Sequence, residues 1–139
     1  MTSLLAVYGT LRRGYRNHAL IEPGSAPVGD GFLPGRLLHI ASPLRRYAYP
    51  GYLADGSGRV VVEVVDILDE ALWPSLDALE RCRPEDPDGS EYVRRTAVAH
   101  VGGQPLTCWT YVYNAEVDGY GQVPGGDWSR MAAPIVTGP

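Results

Sequence analysis

The chain contains no lysine; all twelve of its basic residues are arginine. A Schiff-base mechanism and a phosphate-binding loop of the lysine type both need that residue, so both are excluded. The three histidines, His18, His39 and His100, lie far apart, and neither His-x-x-x-His nor Cys-x-x-Cys spacing occurs. A Gly-x-Ser-x-Gly elbow is also missing, which leaves metal-ion and serine-hydrolase chemistry without a motif. Two cysteines, Cys82 and Cys108, are too few for a disulfide framework and point to a reducing cytoplasm, with a single bridge between them left open. No apolar run approaches the roughly 20 residues of a membrane span, and no basic segment precedes the short N-terminal apolar run as it would in a secretory signal. Positive charge is scarce as well: the net charge is −4, so the chain as a whole has no electrostatic case for binding nucleic acid.

What is present fits one globular domain over residues 1–139, with 45% hydrophobic and 20% charged residues. A domain of this size buries about two-thirds of the surface its unfolded chain exposes. Strands are expected over Leu4–Tyr8, Gly31–Ile40, Tyr47–Leu53 and Arg59–Leu68, and a helical turn near Asn17–Ile21. Ser42-Pro43 separates the second and third strands, and Asp55-Gly56-Ser57-Gly58 forms a turn before the fourth. The valine-rich Arg59–Leu68 run is apolar at nearly every position and should be covered on both faces. A helix is expected over Asp69–Glu80, capped by Asp69, with Leu72, Leu76 and Leu79 on one stripe and a kink or break at Pro74. Arg83–Ser90 reads as a loop. Two further strands, Tyr92–Val101 and Leu106–Tyr113, are joined by the Gly102-Gly103 turn, and from about residue 114 the chain is irregular. The pattern is α+β, mostly β, with a sheet that curves or closes into a small barrel.

Chemistry concentrates at few places. The apolar run Leu4–Val7 breaks into Tyr8-Gly9-Thr10-Leu11, a strand ending in a tight loop. Gly9 has no Cβ, so backbone N–H groups there can approach a ligand, and Arg12, Arg13 and Arg16 behind them suit a carboxylate. The same residues read equally well as an ordinary strand-to-loop turn. Glu80 sits at the C-terminal end of the expected helix, where the dipole and an apolar stripe both disfavour a charged carboxylate and raise its pKa. That suits proton transfer near neutral pH. Against it stands a solvated Glu80 paired with Arg81, Arg83 or Arg94. Tyr92 and Arg94 share one face of a strand; Tyr92 either donates a hydrogen bond into the same pocket or forms a cross-strand aromatic pair. Trp109, Tyr111 and Tyr113 read as core packing, and the acidic run Glu85, Asp86, Asp88 and Glu91 as a solvated loop rather than a calcium site.

In order, Val7-Tyr8-Gly9-Thr10-Leu11-Arg12-Arg13-Gly14 with nearby Asn17, Tyr49-Pro50-Gly51, Gly58-Arg59-Val60-Val61, Leu76-Asp77-Ala78-Leu79-Glu80, Tyr92-Val93-Arg94, Trp109-Thr110-Tyr111-Val112-Tyr113 and Gly126-Asp127-Trp128 resemble the γ-glutamylcyclotransferase-like family. The resemblance implies a small mixed β-barrel with flanking short helices. It implies an enzyme, needing no cofactor and no metal, that releases an amine or amino acid from a small γ-glutamyl substrate and forms 5-oxoproline. Carried over by position, the amides of Tyr8, Gly9, Thr10 and Leu11 would hold the glutamyl α-carboxylate, Glu80 would be the general acid/base, and Tyr92 a pocket residue. Arg81 stands where many relatives place Gly. The alternative reading is a non-catalytic binding or regulatory module that retains the pocket.

Overall fold

The computed structural model describes residues 2–41, 48–56 and 58–131. The expected Ser42-Pro43 break, Tyr47 at the start of a strand and Ser57 of the turn lie outside the described residues, as does 132–139. The elements are β1 (Leu4–Val7), α1 (His18–Ile21), β2 (Ser25–Pro34), β3 (Arg36–Ile40), β4 (Tyr49–Leu53), β5 (Arg59–Ile67), α2 (Leu72–Leu79), β6 (Tyr92–Val101) and β7 (Gln104–Tyr113). Strand order is β1-β5-β2-β6-β7-β4-β3, and β1 also pairs with β7. Five strands, β1, β5, β2, β6 and β7, therefore close on themselves, with β4 and β3 extending from β7. The closure is parallel (Leu5 opposite Trp109), whereas the other pairings around the ring are antiparallel, so the barrel is mixed.

The valines of β5 explain why this strand is central. Val60, Val62 and Val64 enter one apolar cluster, while Val65 and Ile67 enter another that includes Leu5, Val7 and Leu76 of α2. Both faces are thus covered, as an unbroken apolar run requires. A hairpin turn with positive φ at Gly102 (58°) and Gly103 (80°) joins β6 to β7, the backbone that two-residue turns favour.

Several local expectations are revised. The apolar run Gly31–Ile40 is divided at Gly35, whose φ of 143° interrupts the strand, and a Cβ there would collide with the Leu53 carbonyl. Ser25–Asp30, which the expected strand from Gly31 leaves out, forms the first half of β2 despite Pro27 and Gly29. It pairs along β5, whereas β6 meets β2 only at Gly31 and Phe32, so Pro27 sits on an open edge where its missing N–H costs no ladder bond. Third, α2 runs unkinked through Pro74, which is its third residue. The first amides of a helix have no intrahelical acceptor, so proline removes nothing there. The expected Asp69 cap is not formed: α2 starts at Leu72 with Ala71 in the N-cap position and no side chain capping it. The Asp69 carboxylate accepts from the Ala71 N–H at 3.0 Å in the turn just before. Beyond β7, residues 114–131 carry two short 3-10 helices, Pro124–Gly126 and Trp128–Arg130, and pack on the barrel: Trp128 is buried and stacks on His39 with ring centroids 5.7 Å apart.

Candidate active site

One edge of β7 serves two parallel neighbours. β1 meets it at Trp109 and β4 meets it at Val112. Where β1 ends at Val7 and β4 takes over, the chain leaves a cavity of about 270 Å³, lined by Tyr8, Gly9, Thr10 and Leu11 after β1, Tyr49 and Pro50 of β4, Glu80, Glu91 and Tyr92. The change of strand partner thus positions both the loop and the opening.

The loop spends its carbonyls and keeps its amides. Gly9 O accepts from the Arg12 N–H at 3.0 Å, Thr10 O from the Asn17 N–H at 2.9 Å, and Leu11 O lies 2.9 Å from His18 Nδ1. Asn17 Nδ2 also donates to Thr10 Oγ1 at 2.8 Å. No acceptor among the described residues meets the N–H of Gly9, Thr10 or Leu11, although Gly9 and Leu11 are buried. Buried backbone donors almost always have partners, so the unbonded N–H groups of Gly9 and Leu11, with that of half-buried Thr10 between them, mark a place for an acceptor such as a carboxylate. Gly9 is required by proximity: a Cβ there would collide with the Pro50 ring.

Glu80 is the C-cap of α2 and reaches the same cavity. Its backbone turn follows from the residue after it. Arg81 has φ of 52°, its N–H donates to Ala78 O at 3.2 Å, and the Cys82 N–H donates to Asp77 O at 2.8 Å. This is a Schellman ending with arginine in the left-handed position that usually holds glycine. Arg81→Gly is therefore expected to raise stability by roughly 0.5–1 kcal/mol, seen as a higher urea midpoint at unchanged slope.

The arginines that the sequence offers as partners of Glu80 are engaged elsewhere or exposed. Arg94 pairs with Asp77 at 3.2 Å, Arg83 donates to Gly89 O at 3.0 Å, and Arg81 is exposed. Among the described residues none donates a hydrogen bond or an ion pair to the Glu80 carboxylate. Burial chiefly, and then the negative charge of Glu91, push its pKa up to about 7. Glu91 belongs to the cavity and not, as its sequence neighbours suggest, to a solvated acidic loop. Its position one residue before a strand that carries Tyr92 is the signal that places it there. Its carboxylate accepts from Tyr49 Oη at 2.7 Å.

Tyr92 combines its two expected roles in part. It lies opposite Tyr113 across the β6–β7 ladder, with ring centroids 5.3 Å apart and edge-to-face. It also lines the cavity, but its hydroxyl proton is donated to Pro50 O at 2.6 Å, so only its oxygen lone pairs remain for a ligand. Arg12 and Arg13 are not poised for an anion. Arg12 pairs with Glu63 at 3.1 Å and Asp127 at 3.0 Å, and Arg13 with Glu63 and Asp30. Of the three arginines behind the loop, only Arg16 lines the cavity. Tyr111 and Tyr113 are core residues, with Trp109 packed against the same cluster. The acidic loop forms no group of metal-ligand type among the described residues. Cys82 and Cys108 are buried free thiols, so no bridge joins them.

Residues 5–130 match the family model described as gamma-glutamyl cyclotransferase, AIG2-like. The chain belongs to this family. A Vibrio cholerae protein assigned as a gamma-glutamylcyclotransferase is 31% identical over 130 residues, covering 94% of this chain and 98% of that one. The gamma-L-glutamyl-butirosin B gamma-glutamyl cyclotransferase of Niallia circulans is 28% identical over 126 residues, or 91% of this chain and 75% of that protein. An AIG2-like protein of Mus musculus has a similar crystal structure, with a TM-score of 0.67 at 26% identity, covering 84% of this chain and 80% of the mouse chain. Family membership makes the chain an enzyme of the cyclotransferase class, and its small mixed barrel is the architecture of that family. Among the described residues no helix is long and apolar enough to cross a membrane.

Proposed function

We propose that this cyclotransferase acts in the cytoplasm on a small γ-glutamyl amine or γ-glutamyl amino acid, releasing the amine as the glutamyl part closes to 5-oxoproline. The observation that carries the reading is a partner-free carboxyl group of pKa about 7 in the same cavity as three successive unpartnered amides.

In this reading the amides of Gly9, Thr10 and Leu11 hold the substrate α-carboxylate, with Tyr8 completing the loop. An α-ammonium has a pKa of about 8 and cannot attack until it loses a proton. Ionised Glu80 accepts that proton, because the two pKa values are close and the transfer is nearly balanced. The freed amine attacks the γ-carbonyl carbon of the same molecule and forms a five-membered ring. Glu80 then returns its proton to the nitrogen of the departing amine as the C–N bond breaks. The carboxylate so regenerated takes the second proton from the ring nitrogen, leaving a neutral lactam N–H. It passes that proton to the released amine, which departs as an ammonium. Nucleophile and electrophile are already joined, so the protein's work is to hold the folded-back conformer and move two protons in turn. Tyr92 and Pro50, locked to each other, give the cavity a fixed wall.

The test is a panel of γ-glutamyl amines and γ-glutamyl amino acids, with 5-oxoproline measured chromatographically. Product from at least one is expected. For that compound, kcat/KM should fall about tenfold per pH unit below 7, where Glu80 holds its proton and cannot act as base. Saturable binding across the panel with no product would instead make the pocket a binding module.

A further inference from the structure

We infer that Glu63 is a positioning residue for substrate binding: it staples both ends of the Tyr8–Leu11 loop, so that the loop amides are held ready for a carboxylate. The inference rests on the proposed role of those amides.

Glu63 is on β5 and only 9% exposed, an unusual place for a carboxylate in a valine-rich strand. Its backbone stands opposite Val7, the last residue of β1, so the loop departs from this point of the ladder. Its side chain meets the chain where the loop ends. Oε1 accepts from the Arg13 N–H at 2.9 Å and from Arg13 Nε at 3.2 Å, and Oε2 accepts from Arg12 Nε at 3.1 Å. One residue therefore fixes the loop at entry through the ladder and at exit through charge-assisted hydrogen bonds.

The staple extends outward. Arg12 Nη1 donates to Asp127 at 3.0 Å, and Asp127 in turn accepts from the Ser129 N–H and hydroxyl. Asn17 and His18 hold the Thr10 and Leu11 carbonyls from the other side. A loop with three unpartnered amides would otherwise relax toward conformations that satisfy them. Ordering it beforehand removes that cost from the binding step. The two arginines next to the loop thus serve Glu63 and do not contact the ligand.

The test compares the full chain with Glu63→Gln, which keeps the size and removes the charge, and with Glu63→Ala. Amide exchange at Arg12, Tyr15 and Asn17, whose N–H groups donate to Gly9 O, Arg12 O and Thr10 O and so close the loop, is followed by NMR without ligand, and 5-oxoproline is titrated as the probe. Exchange at these three amides should quicken about tenfold while that of β5 and β6 is unchanged, and the probe should bind about tenfold more weakly. On a turned-over substrate KM should rise by a similar factor, kcat should stay within about twofold, and the acid limb near pH 7 should not move. A uniform rise in exchange over the barrel, or a fall in kcat at constant KM, would overturn the inference and leave Glu63 a general stabiliser. If the wild type turns over no γ-glutamyl compound, the cyclotransferase reading fails separately; the exchange data still decide the staple, a loop-confined rise supporting it and no change overturning it. Should Glu63→Ala not fold, the same measurements on Glu63→Gln decide the matter by themselves.

Discussion

Glu80→Gln is expected to slow 5-oxoproline formation by about 10²–10⁴-fold and, at the same time, to make the protein more stable above pH 7. The second effect follows from the sign of the pKa shift. A glutamate in the unfolded chain titrates near 4.3, whereas in the folded state burial and the Glu91 charge hold Glu80 at about 7. The folded protein thus binds this proton more tightly than the unfolded one. Stability from the group is fully present below the unfolded pKa and is lost as pH rises through the folded value. The loss accumulates between about pH 4 and pH 7 and amounts to at most about 4 kcal/mol. Glutamine has no proton to lose and escapes it. Urea denaturation of both proteins at pH 5 and pH 8 measures this: the gap in favour of Glu80→Gln should open on going to pH 8. A gap that does not change with pH would mean that Glu80 is solvated.

The other large effect concerns the support beneath Glu80. Asp77, one turn earlier on α2, is buried and accepts from Tyr111 Oη at 2.7 Å, while Arg94 pairs with it at 3.2 Å. The Arg94 guanidinium lies 4.6 Å from the Trp73 ring centre and 5.2 Å from that of Trp109. Asp77→Ala leaves this cation without its counter-charge and the Tyr111 hydroxyl without an acceptor, a loss of about 3 kcal/mol. The melting temperature should drop by roughly 10 °C. Because α2 presents Glu80 to the cavity, turnover of the folded fraction should fall as well. A drop of only a degree or two would show that the pair is dispensable.

The central strand and the helix end are legible in the sequence because their signals are local. The β5 valines announce a two-faced strand, and Leu72 with Leu76 announces α2. Gly102-Gly103 announces a hairpin. The first half of β2 is not legible, since Pro27 and the glycines argue against a strand unless one knows that its outer edge is unpaired. For the site, Tyr8, Gly9, Thr10, Leu11, Glu80 and Tyr92, up to 84 positions apart in sequence, line one cavity. What sequence cannot supply is pairing. Arg12 and Arg13 look like anion ligands until Glu63, some fifty residues on, is seen to take them. Glu91 looks solvated until the start of β6 brings it to the cavity that holds Glu80. Arg81 looks like a counter-ion until its φ of 52° identifies it as the helix terminator.

The central claim is spatial: one face of the cavity binds a carboxylate by backbone amides while Glu80 handles the proton. A crystal structure with 5-oxoproline bound tests it most directly. The account predicts the ligand carboxylate within about 3 Å of the amide nitrogens of Gly9, Thr10 and Leu11, and the ring nitrogen within hydrogen-bond reach of Glu80. A ligand whose carboxylate rests on Arg16 instead, with Glu80 out of reach of its ring, would contradict it.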